Sequence, residues 1–414
     1  MSDIASALDR REAIGSRSEF THGWRVLFGA TFGVGLGISG LLTYNLGLFT
    51  TDLTREIGLS PATYGAALLG LNVALALAMP LAGRLVDRFG SRVIAATGAA
   101  ILALGFVAMS RVGSVAAYAV ALVLTGFCAS LSSPVAHTRA VAAAFERRRG
   151  LALGITQVGI GLAAALIPPL VASQIAGDGW RSGFLLLAGL AAAGMVPVLL
   201  GLPGRSGDAD LIPAERQKSA ATLMTSRVFW LQLAAFTAMA LAFIGIIAHF
   251  VPMLRASGLS LPQAGALAGA IGMSVIVTRL VVGWLADRIE PAWLGAASCL
   301  VCASGALAMA LGGPELALVG ALALGCAIGA EADLIGILTA RNFALATYSR
   351  AYSAQYAAFT LAGGLSPLLV GLLVEATGGY RAALFSSAVL LVLPVFLFVA
   401  LATRNRRAGP AQAK

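Results

Sequence analysis

Apolar runs long enough to cross a bilayer recur along this chain, each closed by a short polar turn. A helix spanning the hydrocarbon core needs about 20 apolar residues. That length predicts spans near residues 25–50, 61–83, 92–110, 114–142, 150–174 and 182–201. After a polar break the pattern resumes near 228–251, 263–285, 292–312, 315–340, 351–375 and 381–402. Twelve spans put both chain ends on one side of the membrane. The longest break, Pro203 to Ser226, holds Gly204, Ser206, Gly207, Asp208 and Asp210, then Glu215 to Lys218, and reads as a linker. The predicted architecture is all-α: a six-helix bundle over residues 1–202, a linker over 203–226 and a second six-helix bundle over 227–414.

The two bundles repeat each other. Gly83-Arg84-Leu85-Val86-Asp87-Arg88 returns two hundred residues later as Gly283-Trp284-Leu285-Ala286-Asp287-Arg288. Gly179-Trp180-Arg181 and Gly379-Tyr380-Arg381 share the same offset. Two unrelated motifs at one offset imply a duplicated half, and in a chain this apolar a duplicated half points to a membrane transporter.

Composition and charge sharpen the picture. Hydrophobic residues make up 59 % of the chain and charged residues 11 %, against about 45–50 % and about 25 % in soluble domains, so the excess needs a non-aqueous solvent. The N-terminus through Glu19 is polar and has no leader of signal-peptide type, so the first span is expected to stay in place. The net charge of +10 is spread over short turns, with no stripe or aromatic interleaving to grip a polynucleotide, and no nucleic-acid partner is expected. With both ends cytoplasmic, the inside turns hold Arg84, Arg88 and Arg92, Arg147 to Arg149, and the basic residues of the tails and linker. The outside turns hold only Arg55, Arg111, Arg181, Arg255 and Arg381. That asymmetry predicts a multi-pass protein of the cell membrane, a bacterial inner membrane, with both termini cytoplasmic. Cys128, Cys299, Cys302 and Cys326 fall inside apolar segments. The CxxC of Cys299 and Cys302 reads as packing, and neither a disulfide framework nor a zinc site is expected.

On these residues the chain resembles the major facilitator superfamily from Trp24 to about Thr403. The paired GxxxDR turns after the second and eighth spans match that superfamily's best-known signature; the first continues as Phe89-Gly90-Ser91-Arg92 and the second degrades into Ile289-Glu290-Pro291. Within the superfamily it is similar to bacterial monocarboxylate porters and oxalate/formate exchangers. That similarity rests on His22-Gly23-Trp24, on Arg147-Arg148-Arg149-Gly150-Leu151-Ala152-Leu153-Gly154, on His249-Phe250-Val251-Pro252 and on the lone Arg279. The resemblance implies the major facilitator fold, transport by alternating access, no catalytic or metal site, no cofactor and a monomer. It also implies that the GxxxDR residues Gly83, Asp87, Arg88, Gly283, Asp287 and Arg288 form a gate, the aspartates capping a helix or pairing with Arg88 or Arg288. The fifth-span glycine-proline signature of drug/proton antiporters is absent, since Pro168-Pro169 come too late.

Arg279 is the sharpest chemical clue. It lies between Ile271-Gly272-Met273-Ser274-Val275-Ile276-Val277-Thr278 and Leu280-Val281-Val282, and an arginine at a span centre costs about 2.5–3.5 kcal/mol unless compensated. Two compensations are open: an anionic ligand held by the guanidinium fork, or an ion pair with Glu331 or Asp333. The resemblance favours the first, although related porters often carry an acid one turn earlier, where this chain has Val275. Glu331 and Asp333 are proton-coupling candidates, because a carboxyl group held away from water can exchange protons; a charge relay with the Arg288 turn or a helix N-terminus is the alternative. Arg139, eight residues before Arg147, reads as structural, its side chain reaching the membrane edge. His137 and His249 are expected to be hydrogen-bonded.

Helix 1 is glycine-rich, and Gly35-Leu36-Gly37-Ile38-Ser39-Gly40 spells GxGxxG between two membrane helices, where no nucleotide site can form. Tyr44, Asn45, Asn72, Gln157, Gln355 and Tyr356 are polar groups inside spans and therefore candidate cavity ligands. The combined expectation is a secondary transporter of a small organic anion, monocarboxylate-like, driven by protons or by anion exchange. The rival is a proton-coupled exporter of amphipathic or drug-like compounds, in which Arg279 would be a structural ion pair. An acid in the centre of helix 1 would favour that rival, and there is none between Arg25 and Asp52. A membrane-bound enzyme or sensor would need a catalytic cluster or a folded soluble extension, and the tails and linker are too short for one.

Overall fold

In hydrocarbon every backbone N–H and C=O must be satisfied within its own segment, and helix does this. The computed structural model describes residues 2–145, 149–204, 225–286, 288–343 and 345–408. The first half contains α1 (Ser2–Gly35), α2 (Pro61–Phe89), α3 (Ser91–Met109), α4 (Val115–Ala129, resuming as Pro134–Ala144), α5 (Arg149–Asp178) and α6 (Trp180–Gly201). The second contains α7 (Arg227–Ala248), α8 (Leu261–Ala286), α9 (Pro291–Gly312), α10 (Ala317–Asn342), α11 (Leu345–Thr377) and α12 (Arg381–Leu390, resuming as Val392–Ala408). Eleven stretches of the described residues are long and apolar enough to cross a membrane. The longest, Pro291–Asn342, holds both α9 and α10 around the 3-10 turn Gly313–Leu316, which makes twelve crossings. Most of the linker, residues 205–224, lies outside the described residues, as does Asp287.

Of the spans expected as single helices, the seventh and twelfth are interrupted at His249 and Leu391, and the first and fourth are broken more deeply. The first was expected as one helix over 25–50, but α1 starts at Ser2 and stops at Gly35. A single turn, Ile38–Leu41, a non-helical turn at 42–45 and a 3-10 turn, Leu46–Phe49, follow. The fourth span kinks at Ser130–Ser132 because Pro134 has no N–H to continue the ladder. The breaks meet: the Ile38 N–H donates to Ser132 Oγ at 3.2 Å, replacing a lost helical bond.

The duplication is visible in the turns. Gly58 and Gly258 both end short helices in the left-handed region, φ 77° and 90°, where glycine has no Cβ penalty. Two residues on, Ser60 caps α2 in a capping box with Thr63, and Ser260 exchanges the same kind of bonds with Gln263 before α8.

The halves touch chiefly through two helix pairs, α2 with α11 and α5 with α8, and also where the helix Phe250–Ala256 meets residues 46–57. The contacts run from mid-membrane to the face opposite the chain ends, here the far face. On the α5–α8 seam, Gly265 faces Ala172, Gly269 faces Ala165 and Pro169, and Gly272 faces Ala164 and Ala165. On the other seam Gly65 faces Pro367 and Leu368, and Gly371 faces Pro61 and Ala62. Small residues allow this close backbone approach.

At the far face the Ala62 N–H donates to Glu375 Oε1 at 2.9 Å, so a carboxylate of the second half sits on the N-terminus of α2. Beside it the Tyr64 hydroxyl donates to Ala248 O at 3.3 Å, and its ring meets His249 edge-on at 5.3 Å. Glu375→Gln is expected to loosen this closure. In proteoliposomes, a cysteine placed at Thr50, buried in this conformation, should then label with an impermeant maleimide about twofold faster or more. Unchanged labelling would show that the contact does not hold the face shut.

The Trp180-Arg181 repeat also has a structural use. Trp180 Nε1 donates to Glu56 Oε2 at 2.6 Å and Arg181 Nη1 to the same oxygen at 3.0 Å, tying the helix Thr50–Ile57 to α6. The Arg181 guanidinium, with Trp180, holds the Glu56 carboxyl below its ordinary 4.5. A lowered folded-state pKa contributes stability above the unfolded value, and that stability is lost as pH falls through the folded one. Arg181→Ala should therefore lower the melting temperature near pH 7 and converge on the wild-type value in acid below about pH 4, measured by thermal unfolding in detergent.

Candidate functional site

Between the halves lies a cavity of about 610 Å³, within the usual range of ligand sites. Its walls come from the broken part of the first span (Ile38 to Leu46), from α2 between Tyr64 and Met79, from Phe243 to Ala248, from Ile328 and Glu331 of α10, and from α11 between Tyr352 and Pro367. Along α2 that is about 22 Å at 1.5 Å per residue, so the cavity spans most of the membrane's depth.

Of the polar residues singled out in the sequence, Tyr44, Asn72, Tyr356 and Glu331 line this cavity. Tyr44 stands in the non-helical turn, not on a helix as expected, and its ring is therefore presented inward from an unwound segment. Asn72 donates from Nδ2 to Leu68 O at 2.9 Å and also meets Gly364 across the α2–α11 seam.

Asn45, Gln157 and Gln355 are placed elsewhere. Asn45 is fully buried, its Nδ2 donating to Leu41 O at 2.8 Å in place of the helix that ended there. Gln355 donates from Nε2 to Gln232 Oε1 at 3.0 Å, and Gln232 donates to Leu338 O at 3.2 Å, so the pair ties α11, α7 and α10 together behind the cavity. Gln157 is half-buried on α5 with Oε1 unpartnered. Polar residues within spans do face inward here, but the interior also includes helix–helix seams.

Arg279 sits on α8 one layer behind the cavity wall. α8 packs on α10 where Gly329 meets Val275 and Thr278, which brings the Arg279 and Glu331 regions side by side. Its charge interacts with Tyr44, Glu331 and Tyr356, three cavity residues, and with Asp333. Its Nε and Nη1 are buried without a hydrogen-bond partner, as is Glu331 Oε2. Among the described residues Arg279 forms no salt bridge with either acid. Asp333, two residues beyond Glu331, is half-buried and does not line the cavity.

The gating motifs lie at the face of the chain ends. Gly83 and Gly283 have open space at the Cβ position. Arg88 lies over the Phe89 ring at 5.2 Å; Arg288 lies over the Trp284 ring at 3.9 Å and donates to Trp284 O at 2.7 Å. Both arginines are thus turned onto their own helix ends. The Asp87 side chain lies outside the described residues, like Asp287.

Some cavity residues went unread. Tyr352 and Phe359 share one face of α11 with Tyr356 and line the cavity beside it, a spacing of four and then three that periodicity does signal. His137 and His249 are hydrogen-bonded, to Ser133 O and Pro367 O at 3.0 and 3.1 Å.

The family model of the Major Facilitator Superfamily matches residues 27–340. The chain belongs to the major facilitator superfamily. The transporter is 28 % identical to human monocarboxylate transporter 11, over 94 % of this chain and 84 % of that one. It is 27 % identical to the oxalate:formate antiporter of Oxalobacter formigenes, over 58 % and 56 %. It is 28 % identical to the gallate transporter of Pseudomonas putida, over 67 % of each. In fold it matches a bacterial homologue of the human lysosomal transporter Spinster in an inward-facing, occupied conformation, with TM-score 0.71, 17 % identity and coverage of 94 % and 97 %. It is therefore a multi-pass membrane transporter related to monocarboxylate, oxalate:formate and gallate transporters, not an enzyme.

Proposed function

We propose that the transporter carries a small, monocarboxylate-like organic anion by alternating access, two rigid six-helix units (1–202 and 227–414, tethered by 203–226) rocking about the cavity. The observation that carries this reading is Arg279, a membrane-embedded guanidinium beside the cavity with two donors unused. A carboxylate fits that fork, and bidentate pairs of this kind are among the stronger hydrogen bonds. The relatives named for monocarboxylate, oxalate, formate and gallate support an anionic cargo. The exporter reading needs Arg279 in a structural ion pair, and the absence of one among the described residues weighs against it.

Closure of the far face, with Arg88 and Arg288 turned onto their own helices, fits a cavity open to the face of the chain ends. With the basic turns inside, that face is the cytoplasm of a bacterial inner membrane, and the conformation is inward-open. The GxxxDR residues, Asp87 and Asp287 included, would engage when that face closes. Glu331, lining the cavity next to Arg279, is the leading carrier of a coupled proton, with Asp333 behind it.

The test is uptake of labelled carboxylates by the monomer in proteoliposomes, with and without an inward proton gradient. Uptake driven by protons assigns symport, and uptake only against internal anion assigns exchange. A folded protein that moves no carboxylate under either condition defeats the reading.

A further inference from the structure

We propose that the cavity is shaped for an aromatic carboxylate, its ring laid against Tyr356 and its carboxylate turned toward Arg279; this rests on the organic-anion reading. Tyr352, Tyr356 and Phe359 form a ladder of nearly parallel rings along α11. Tyr352 and Tyr356 are 5.9 Å apart and 9° from parallel, and Tyr356 and Phe359 are 6.4 Å apart at 25°. The middle ring reaches the cavity: Tyr356 lines it at 44 % exposure, while Phe359 is buried at 6 %. A ring held between two parallel neighbours is fixed in place, and aromatic pairs in offset or edge-to-face arrangements gain beyond the area they bury. The adjoining wall carries Leu68, Leu71 and Leu75 of α2, apolar surface that a ring would cover as well.

The lining points the same way. A two- or three-carbon acid leaves the leucine and aromatic walls beside it in contact with water, an unfavourable arrangement. A ring with one carboxylate covers the apolar wall it meets and still reaches the charged region at Glu331, with Arg279 behind it. The polar groups along the rest of the cavity, Thr43, Asn72 and Thr360, are neutral, so one anionic head and an apolar body match the lining.

The experiment is counterflow of labelled benzoate in proteoliposomes, which needs no knowledge of the coupling ion, with unlabelled acetate, lactate, phenylacetate and cyclohexanecarboxylate as competitors. Benzoate and phenylacetate should compete roughly three- to tenfold more effectively than cyclohexanecarboxylate, which has the size but no π face. Tyr356→Leu should erase that difference and Tyr356→Phe should keep it. Equal competition by cyclohexanecarboxylate, or a preference that survives Tyr356→Leu, overturns the proposal. Should Tyr356→Leu not fold, the wild-type panel and Tyr356→Phe decide. Acetate or lactate supporting counterflow as well as benzoate overturns the aromatic assignment alone; no carboxylate supporting it overturns the underlying anion reading too.

Discussion

Arg279→Gln is expected to abolish carboxylate counterflow while leaving the protein folded. Glutamine keeps two amide donors but is shorter, and it loses the charge and the planar fork. A charge-assisted hydrogen bond contributes about 1.5–3 kcal/mol, and each 1.4 kcal/mol is about a factor of ten in binding. Losing a bidentate pair therefore removes at least one to two orders of magnitude in affinity. Arg279→Lys should recover part of it, since the ammonium is a point charge without the fork. Thermal unfolding separates this role from a structural one. Breaking a buried ion pair by removing one partner costs about 3–5 kcal/mol, so a structural Arg279 would give a lowered melting temperature in Arg279→Gln. Because Nε and Nη1 have no partner to lose, the melting temperature is expected to hold or rise. Wild-type counterflow in both variants would falsify the assignment of Arg279 to the substrate.

The second large effect is expected at Gly272. A Cβ built there runs into the main chain of Ala164 and Ala165 on α5. No rotamer change relieves a clash with backbone, so Gly272→Val forces α8 away from α5. Overpacking of this kind costs about 1–3 kcal/mol, comparable to the few kcal/mol that separate two conformations of a protein. The far face should therefore spend most of its time open: a cysteine at the buried Thr50 should label many times faster, and transport should stop because the closed-far-face state is lost. Gly189→Ala, whose Cβ position is open, is the control and should behave as wild type. Slow labelling at Thr50 in Gly272→Val would show that the seam yields elsewhere.

The twelve crossings and the duplication were legible because both are one-dimensional signals. Span length follows from bilayer thickness, and a repeat shows itself as one offset between motifs. A further copy was present in Gly58-Leu59-Ser60-Pro61 and Gly258-Leu259-Ser260-Leu261-Pro262 and only became evident through their shared turn geometry. The break in the first span was not legible, because apolar content continues through residues 42–49 while the backbone unwinds. Its compensation, Ser132 receiving the Ile38 N–H, comes from 94 residues away. The same distance problem limited the site. A glutamine in a span announces only that it avoids lipid; that Gln355 serves Gln232 and not the cavity depends on a contact across 123 residues. Arg279 stood out by its cost alone, yet the sequence left the ion pair open, and only the placement of Glu331 and Asp333 around an unpaired guanidinium weighs between the two readings.

The α5–α8 seam carries one more implication. Beside the Ala172 methyl and the Pro169 ring, Gly265, Gly269 and Gly272 face main-chain oxygens of Pro168, Ala165 and Ala164. When this stretch of the seam parts, the surfaces that separate are peptide edges and small hydrocarbon groups. Water solvates the peptide edges, so the wetting penalty on the opening stroke is smaller than for a seam of large side chains. A zipper of leucines would have held the two halves together like a core; this stretch works more as a bearing, and the path it uncovers carries dipoles.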